Sequence, residues 1–433
     1  MDRAVQYLKS LVSIPTVSSK PEHHHDLKKG ATAVVDILKD VGFAHIERWP
    51  TTTDVDCVYA EHIVDPDAKT LLIYGHYDVQ PIDPIEDWES DPFTLTQKGD
   101  WLHGRGAEDN KGQLCCVFSG LYQNLPDRFN IKMLIEGEEE SSSKGLYDLI
   151  EKKKERLKAD YLLIFDVDMI SLEKGAVTCG TRGVYGFDIQ VKTGISDLHS
   201  GMFGGIARSA TLEMNYLLSK MLGPEGEILV DGFYDEVMHI SQHHKDQYSF
   251  YEPDGDFAKY DFSKTSAKDR NYFLPTLEIN GFYSGHMGSG SKTVIPCEAY
   301  AKMTIRTVKN QDGFELIEKI DTFLQKVKHP GCSVKVLTHS GGPFSFTNSH
   351  DHFIQKLHEA YRAICPLGSE NILSGASIPV ASSLQKITNA TLAFAGVGLK
   401  EDFIHSPHER FSLKQIDKGV KFIKELVRLL NVD

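Results

Sequence analysis

Three short apolar runs, Thr70 to Tyr74, Ile131 to Ile135 and Asp160 to Phe165, each lead within a few residues into histidine or carboxylate side chains. His76 and Asp78 follow the first, Glu138, Glu139 and Glu140 the second, and Asp166 and Asp168 the third. Helical patterns at about Gln113 to Leu125 and Leu146 to Leu157 separate the runs, and amphipathic helices precede them at Ala4 to Val12 and Ala31 to Val41, the latter with Gly42 as its C-cap. Strands alternating with helices predict an α/β fold, its mixed, mainly parallel sheet covered by helices on both faces. The carboxyl ends of parallel strands open into one crevice, so three distant segments would deliver His, Glu and Asp to the same place. Asp109 lies just before a helix within Gly104 to Gly112, and a late cluster, His405-Ser406-Pro407-His408-Glu409, follows the apolar run Ala390 to Phe394.

So many carboxylates in one buried crevice need a positive partner, because like charges and desolvation each penalise the ionised form. Mixed His and carboxylate donors suit zinc or manganese, and the inventory exceeds what one ion uses, which points to two metals bridged by a carboxylate. Taken singly, each group has an ordinary reading. His76 to Asp78 could be a hydrogen-bonded strand end, the Glu triplet a solvated helix start, and His405 to Glu409 a polar loop. Their coincidence at successive strand ends is what indicates a metal centre. Two other motifs do not compete. Gly285 to Thr293 nearly matches a phosphate-binding loop, but a Ser intrudes before Lys292 and no helix pattern follows. Gly375-Ala376-Ser377-Ile378-Pro379 has Pro where a nucleophile elbow ends in Gly, and no strand pattern leads into it.

From Val184 the pattern changes to the order βαββαβ of a ferredoxin-like domain: Tyr185 to Val191, a helix from Ile206 to Met221, strands at Thr276 to Phe282 and Glu298 to Thr307, a helix carrying Phe314 to Val327, and a strand from Ser333 to Thr338. The expected organisation is a catalytic domain in two parts, 1–181 and 342–433, with an inserted domain at 182–341. Ser241 to Pro275 fits neither pattern and is expected to be a surface excursion; His23-His24-His25 is expected in an exposed turn before a helix.

The chain has 47 Lys and Arg against 61 Asp and Glu, a net charge of −14 that disfavours nucleic acid and anionic membranes as partners. No apolar run approaches the ~20 residues that cross a bilayer, and the first residues lack the apolar core of a secretory signal. Seven cysteines with one adjacent pair, Cys115-Cys116, suggest reduced thiols in the cytoplasm.

With these residues assembled, the sequence resembles the di-zinc peptidase family of carnosinases, aminoacylases, acetylornithine deacetylases and glutamate carboxypeptidases, nearest its cytosolic non-specific dipeptidase branch. The resemblance rests on Tyr74 to Pro81, Gly104 to Gly106 with Asp109 to Gly112, Glu136 to Ser141, Asp197 to Gly201 and Lys292 to Pro296, in the family's order. It implies two zinc ions per chain, with manganese as the alternative. Asp109 would bridge them, His76 and Asp166 complete one site, and Glu140 and His405 the other. Glu139 would be the general base and then the acid, with Asp78 orienting His76. The bond between Asp109 and Asn110 would be cis. The inserted domain would be a lid and homodimer interface, carrying His199 into the partner's site as an oxyanion donor, while Arg306, His339, Thr293 and Ser377 contact substrate.

The sequence departs from the family pattern at Glu138, at His408 and at Ala376. A shift making Glu138 the base, and His408 in place of His405, therefore stay open. The expected function is hydrolysis of dipeptides or short peptides with a free C-terminal carboxylate. The alternatives are an N-acyl amino acid amidohydrolase and a non-catalytic dimeric binding protein.

Overall fold

The computed structural model describes residues 1–252 and 265–432. Its larger sheet has nine strands. From one edge they run His45–Pro50, Asp56–His62, Asn130–Glu136, Thr70–His76, Tyr161–Phe165, Thr391–Ala395, Gly175–Thr181 and Ser345–Phe346, and Ser369–Ser374 also pairs with Gly175–Thr181. The four consecutive strands from Asn130–Glu136 to Thr391–Ala395 are mutually parallel. Register sets His76 opposite Glu136 and Tyr74 opposite Ile164, so their carboxyl ends share one border.

Every residue of Thr70–His76 is buried. Leu71 and Ile73 enter one core with Met133 and Leu163, beneath the helices Asp2–Val12, Lys111–Leu121, His352–Ile364 and Leu413–Leu430. Leu72 and Tyr74 enter the opposite core with Leu134 and Ile164, beneath Lys144–Lys152 and Pro379–Thr388. A strand between two layers needs apolar residues at successive positions, which is why these strands read as continuous runs. Each such side chain contributes roughly 1.5–3 kcal/mol by burial. The last helix starts at a capping box: Ser412 Oγ accepts from Gln415 N at 3.1 Å, and Gln415 Oε1 accepts from Ser412 N at 3.0 Å. Its stripe Ile416, Val420, Ile423, Val427 and Leu430 is buried. Gly120 admits this helix, since a Cβ there would lie 2.6 Å from Ile423.

The second sheet is antiparallel, ordered Thr276–Ser284, Glu298–Thr307, Gly183–Lys192, Ser333–Gly342. Tyr185, Phe187, Ile189 and Val191 bury one face under the helices Ala210–Met221 and Gly313–Val327, giving the βαββαβ order read from the sequence. The alternation of buried and part-exposed residues along Gly183–Lys192 is that of a sheet covered on one side.

Four local readings differ. His24 and His25 begin the helix His24–Val41, after a turn at Pro21–His23. The helix expected to Leu157 is interrupted at Lys153. A strand, Ser369–Ser374, does lead into Gly375; its polar composition hid it, because it is only partly buried. The described parts of the stretch from Ser241 to Pro275 pack on the larger sheet: Ser249 bridges Ile372, and Tyr248 and Phe273 belong to the first core. There the two rings are buried, which the charged neighbours in the sequence do not show; residues 253–264 of that stretch lie outside the described residues. Among the described residues no helix is long and apolar enough to cross a membrane.

Candidate metal centre

Two groups of potential metal donors stand at the shared border, His76 with Asp109 and Asp166, and Asp109 with Glu140 and His405. Within each, the donor atoms lie within 4.8 Å of one another, and Asp109 belongs to both. His76 Nε2 is 3.2 Å from Asp109 Oδ1 and 3.5 Å from Asp166 Oδ2, while His405 Nε2 is 2.8 Å from Asp109 Oδ2 and 3.4 Å from Glu140 Oε1. The electrostatics call for cations. Hydrogen bonds donated to Asp109 and Glu140 raise His405 to about 10, and His76, despite the burial that opposes its charge, is raised well above its usual range by Asp166 and Asp109. Burial favours a proton on Asp109, yet His405 and His76 hold its carboxyl well below the usual range. Two His and three carboxylates that gather protons onto the imidazoles are a donor set suited to divalent metal ions, and Asp109 is common to both groups.

The surroundings orient each donor. His76 Nδ1 faces Asp78 Oδ1 at 3.3 Å and Asp78 O at 3.2 Å, which turns Nε2 toward Asp109. The buried Asp78 carboxylate also accepts from Glu139 N at 3.2 Å and Glu140 N at 3.1 Å, fixing the turn that presents both glutamates. Gln80 Nε2 donates to Glu140 Oε2 at 2.7 Å. Asn110 Nδ2 donates to Asp166 Oδ1 at 2.5 Å and to Phe165 O at 3.0 Å, and its Oδ1 accepts from His76 N at 3.3 Å. Gly75 is required beside it, because a Cβ there would lie 2.8 Å from that oxygen. The Asp109–Asn110 peptide bond is cis.

Glu409 had no role in the sequence reading and holds the loop that carries Asp109. Its Oε1 accepts from Glu108 N at 3.0 Å and Asp109 N at 3.1 Å, and its Oε2 from Gly106 N at 2.9 Å and Arg105 Nη1 at 2.8 Å. Arg105 and Glu409 are both buried, so the pair is desolvated. The available signal was Arg105 and Glu409 standing inside the two motif stretches.

Burial pushes the Glu139 carboxyl up to about 8; His76 opposes this, and Asp166 and Glu140 add to it. A carboxylate with a proton affinity near neutrality can take a proton and return it. Glu138 belongs to neither donor group and instead accepts from Thr53 Oγ1 at 2.5 Å. His408 is also outside both groups, with Glu89 and His103 in its electrostatic neighbourhood.

The other sequence-derived candidates form two separate clusters. Arg306 Nη1 donates to Ser377 Oγ at 2.7 Å, and Ser377 donates to the Arg182 carbonyl. His339 shares the open face of the second sheet, with Nε2 3.1 Å from Asp188 Oδ1. His199 and Thr293 are together at the small ladder of Leu198–His199 with Val294–Ile295, where Ser200 N donates to Thr293 O at 3.1 Å. His199 is exposed, and its Nδ1 accepts from Gly201 N at 3.1 Å. Neither His199 nor Thr293 belongs to the donor groups.

Residues 72–429 match the family described as Peptidase family M20/M25/M40. The chain is 31% identical to Beta-Ala-His dipeptidase of Homo sapiens, over 99% of this chain and 91% of the relative. It is 31% identical to Cys-Gly metallodipeptidase dug1 of Schizosaccharomyces pombe, over 97% of this chain and 94% of that one. The crystal structure of the M20 family metallo-carboxypeptidase Sso-CP2 from Sulfolobus solfataricus superposes with a TM-score of 0.88 at 27% identity, covering 100% of both chains.

Proposed function

The chain belongs to Peptidase family M20/M25/M40, and from that premise we propose that it is a metallodipeptidase whose reaction centre is the pair of donor groups joined by Asp109. The observation that carries this reading is the sharing of Asp109 between two His and carboxylate groups, with the half-buried Glu139 on the turn beside them. His76, Asp109 and Asp166 would hold one ion, and Asp109, Glu140 and His405 the other. When bound, zinc or manganese supplies Lewis acidity for the scissile carbonyl and makes a water acidic at neutral pH.

The chain's own residues do the rest. Glu139 accepts the proton of the attacking water and delivers it to the departing amine, so that one carboxyl serves as base and then acid. Asp78 fixes the His76 ring and the Glu139–Glu140 turn together. Arg306, with its guanidinium on Ser377, offers a fork for the free carboxylate of a dipeptide, and His339 lies on the same open face. His199 and Thr293 would complete the site across a homodimer, with the unit at 182–341 acting as lid and interface. The exposed Ile195, Met202, Ile206, Leu212 and Met287 of that unit supply the apolar surface for it. Seven unpaired cysteines agree with a cytoplasmic location.

The test strips the metals, reconstitutes separately with zinc and with manganese, and screens free and N-acetylated dipeptides. Hydrolysis of free dipeptides that returns with metal supports the reading. Preference for the acetylated set makes the enzyme a deacylase, and no turnover with either metal refutes it.

A further inference from the structure

A cavity of about 320 Å³ lies where loops of the second sheet meet the larger one. It contains none of the residues assigned to the reaction. Apolar walls come from Tyr248, Phe273, Phe346 and Leu373. Two cations, Arg182 and Lys309, face the same space, and no Asp or Glu is among its described lining residues. Size, aromatic walls and few polar groups are what small-molecule sites share.

Arg182 makes the cavity selective. Its Nε donates to Gly375 O at 3.0 Å and its Nη1 to Arg270 O at 3.4 Å, so its hydrogen bonds among the described residues go to backbone carbonyls. Burial, then repulsion from Arg306, lowers its guanidinium to about 10, and Glu278 offsets only part of this. Lys309 Nζ sits 5.3 Å from the Phe346 ring centroid, without a described carboxylate partner. A half-buried cation held by backbone carbonyls and beside an apolar cavity favours an anionic ligand, since a charge in such surroundings is costly unless paired.

We propose that this cavity binds an apolar monocarboxylate, its hydrocarbon or aryl part among Tyr248, Phe273, Phe346 and Leu373 and its carboxylate drawn to Arg182 and Lys309. The site is distinct from the metal centre. It adjoins the Arg306–Ser377 pair through one loop, because Leu373 and Ser374 line the cavity while Ser377 bonds to Arg306.

Octanoate is the probe, titrated calorimetrically into the metal-loaded enzyme beside acetate, which has the carboxylate without the chain, and octanamide, which has the chain without the charge. One octanoate per chain is expected, bound about tenfold or more tightly than either control. Ile240→Trp places an indole in the cavity, and Lys309→Met or Arg182→Met removes a cation; each should weaken octanoate by about tenfold or more while metal content stays unchanged. Should Arg182→Met fail to fold, Ile240→Trp and Lys309→Met decide. Octanoate affinity left intact in a folded Ile240→Trp protein overturns the proposal, because the carboxylate is then on the metals. Equal binding of octanoate and octanamide overturns the charge argument, and full competition with a dipeptide substrate overturns the separation of the two sites.

Discussion

Replacing Glu409 by glutamine leaves shape almost unchanged and strikes the loop that presents Asp109. Four N–H donors converge on the two carboxylate oxygens, two on each, so whichever oxygen becomes NH2 turns a nitrogen toward two donors. Burial pushes this carboxyl up while Arg105 and the Gly106 and Glu108 amides pull it down. With donors on every side, no acceptor is left for a carboxyl proton, and the ionised form is the one the site accommodates. Removing one partner of a buried ion pair costs about 3–5 kcal/mol, against a total stability of roughly 5–15 kcal/mol. The Asp109 amide loses its anchor as well. Partners that orient a metal ligand typically control affinity by about 10–100-fold, or about 1.4–2.8 kcal/mol. Urea unfolding of the chelated protein reads the first figure, and competition with a chromophoric chelator reads the second. Adding Arg105→Met to Glu409→Gln should recover at least ~1 kcal/mol, because the cation left unpaired is then gone. Unfolding and metal affinity both equal to the parent, or no coupling between residues 105 and 409, would refute the reasoning.

Three further outcomes are expected. Glu139→Gln keeps metal content and unfolding midpoint but lowers kcat by about 10²–10⁴, and the parallel Glu138→Gln variant stays active; the reverse pattern moves the base by one residue. Metal analysis of the protein purified without chelator gives close to two equivalents, and Asp109→Asn lowers loading at both positions rather than one, since its side chain reaches both imidazoles. Co-expressed His199→Ala and Glu139→Gln chains, each inactive alone, regain part of the activity through heterodimers; no recovery with heterodimers present excludes a histidine supplied by the partner.

The donors could be read because strand ends announce themselves. An apolar run that stops at His76 or Asp166 marks both the strand and the crevice at its end, and the parallel register does the rest. The second sheet was equally legible from the alternation of Tyr185, Phe187, Ile189 and Val191. Glu409 was not, since a carboxylate in a polar loop carries no periodicity that would tie it to amides 300 to 303 residues earlier. Ser369–Ser374 escaped for the opposite reason: its six residues are mostly polar, and pairing with Gly175–Thr181, rather than burial, makes it a strand. Tyr248 and Phe273 were placed on the surface because their neighbours are charged, and only the nearby edge of the larger sheet shows where the rings go.

The strand order carries a consequence for synthesis. Thr391–Ala395 lies between Tyr161–Phe165 and Gly175–Thr181, so the larger sheet is split through its middle until residues 391–395 have been made. Until then the nascent polypeptide bears two interior edges with unpaired amides and carbonyls, the kind of template that other chains can extend. Its acidic crevice is also short of His405, Arg105 of its counter-ion Glu409, and the last helix of its place beside Lys111–Leu121. A chain that stops before Thr391 lacks the central strand, His405 and the last helix together. The strand that closes the sheet, the second imidazole and the counter-ion of Arg105 all come from the one stretch 391–430, so sheet and crevice are completed together.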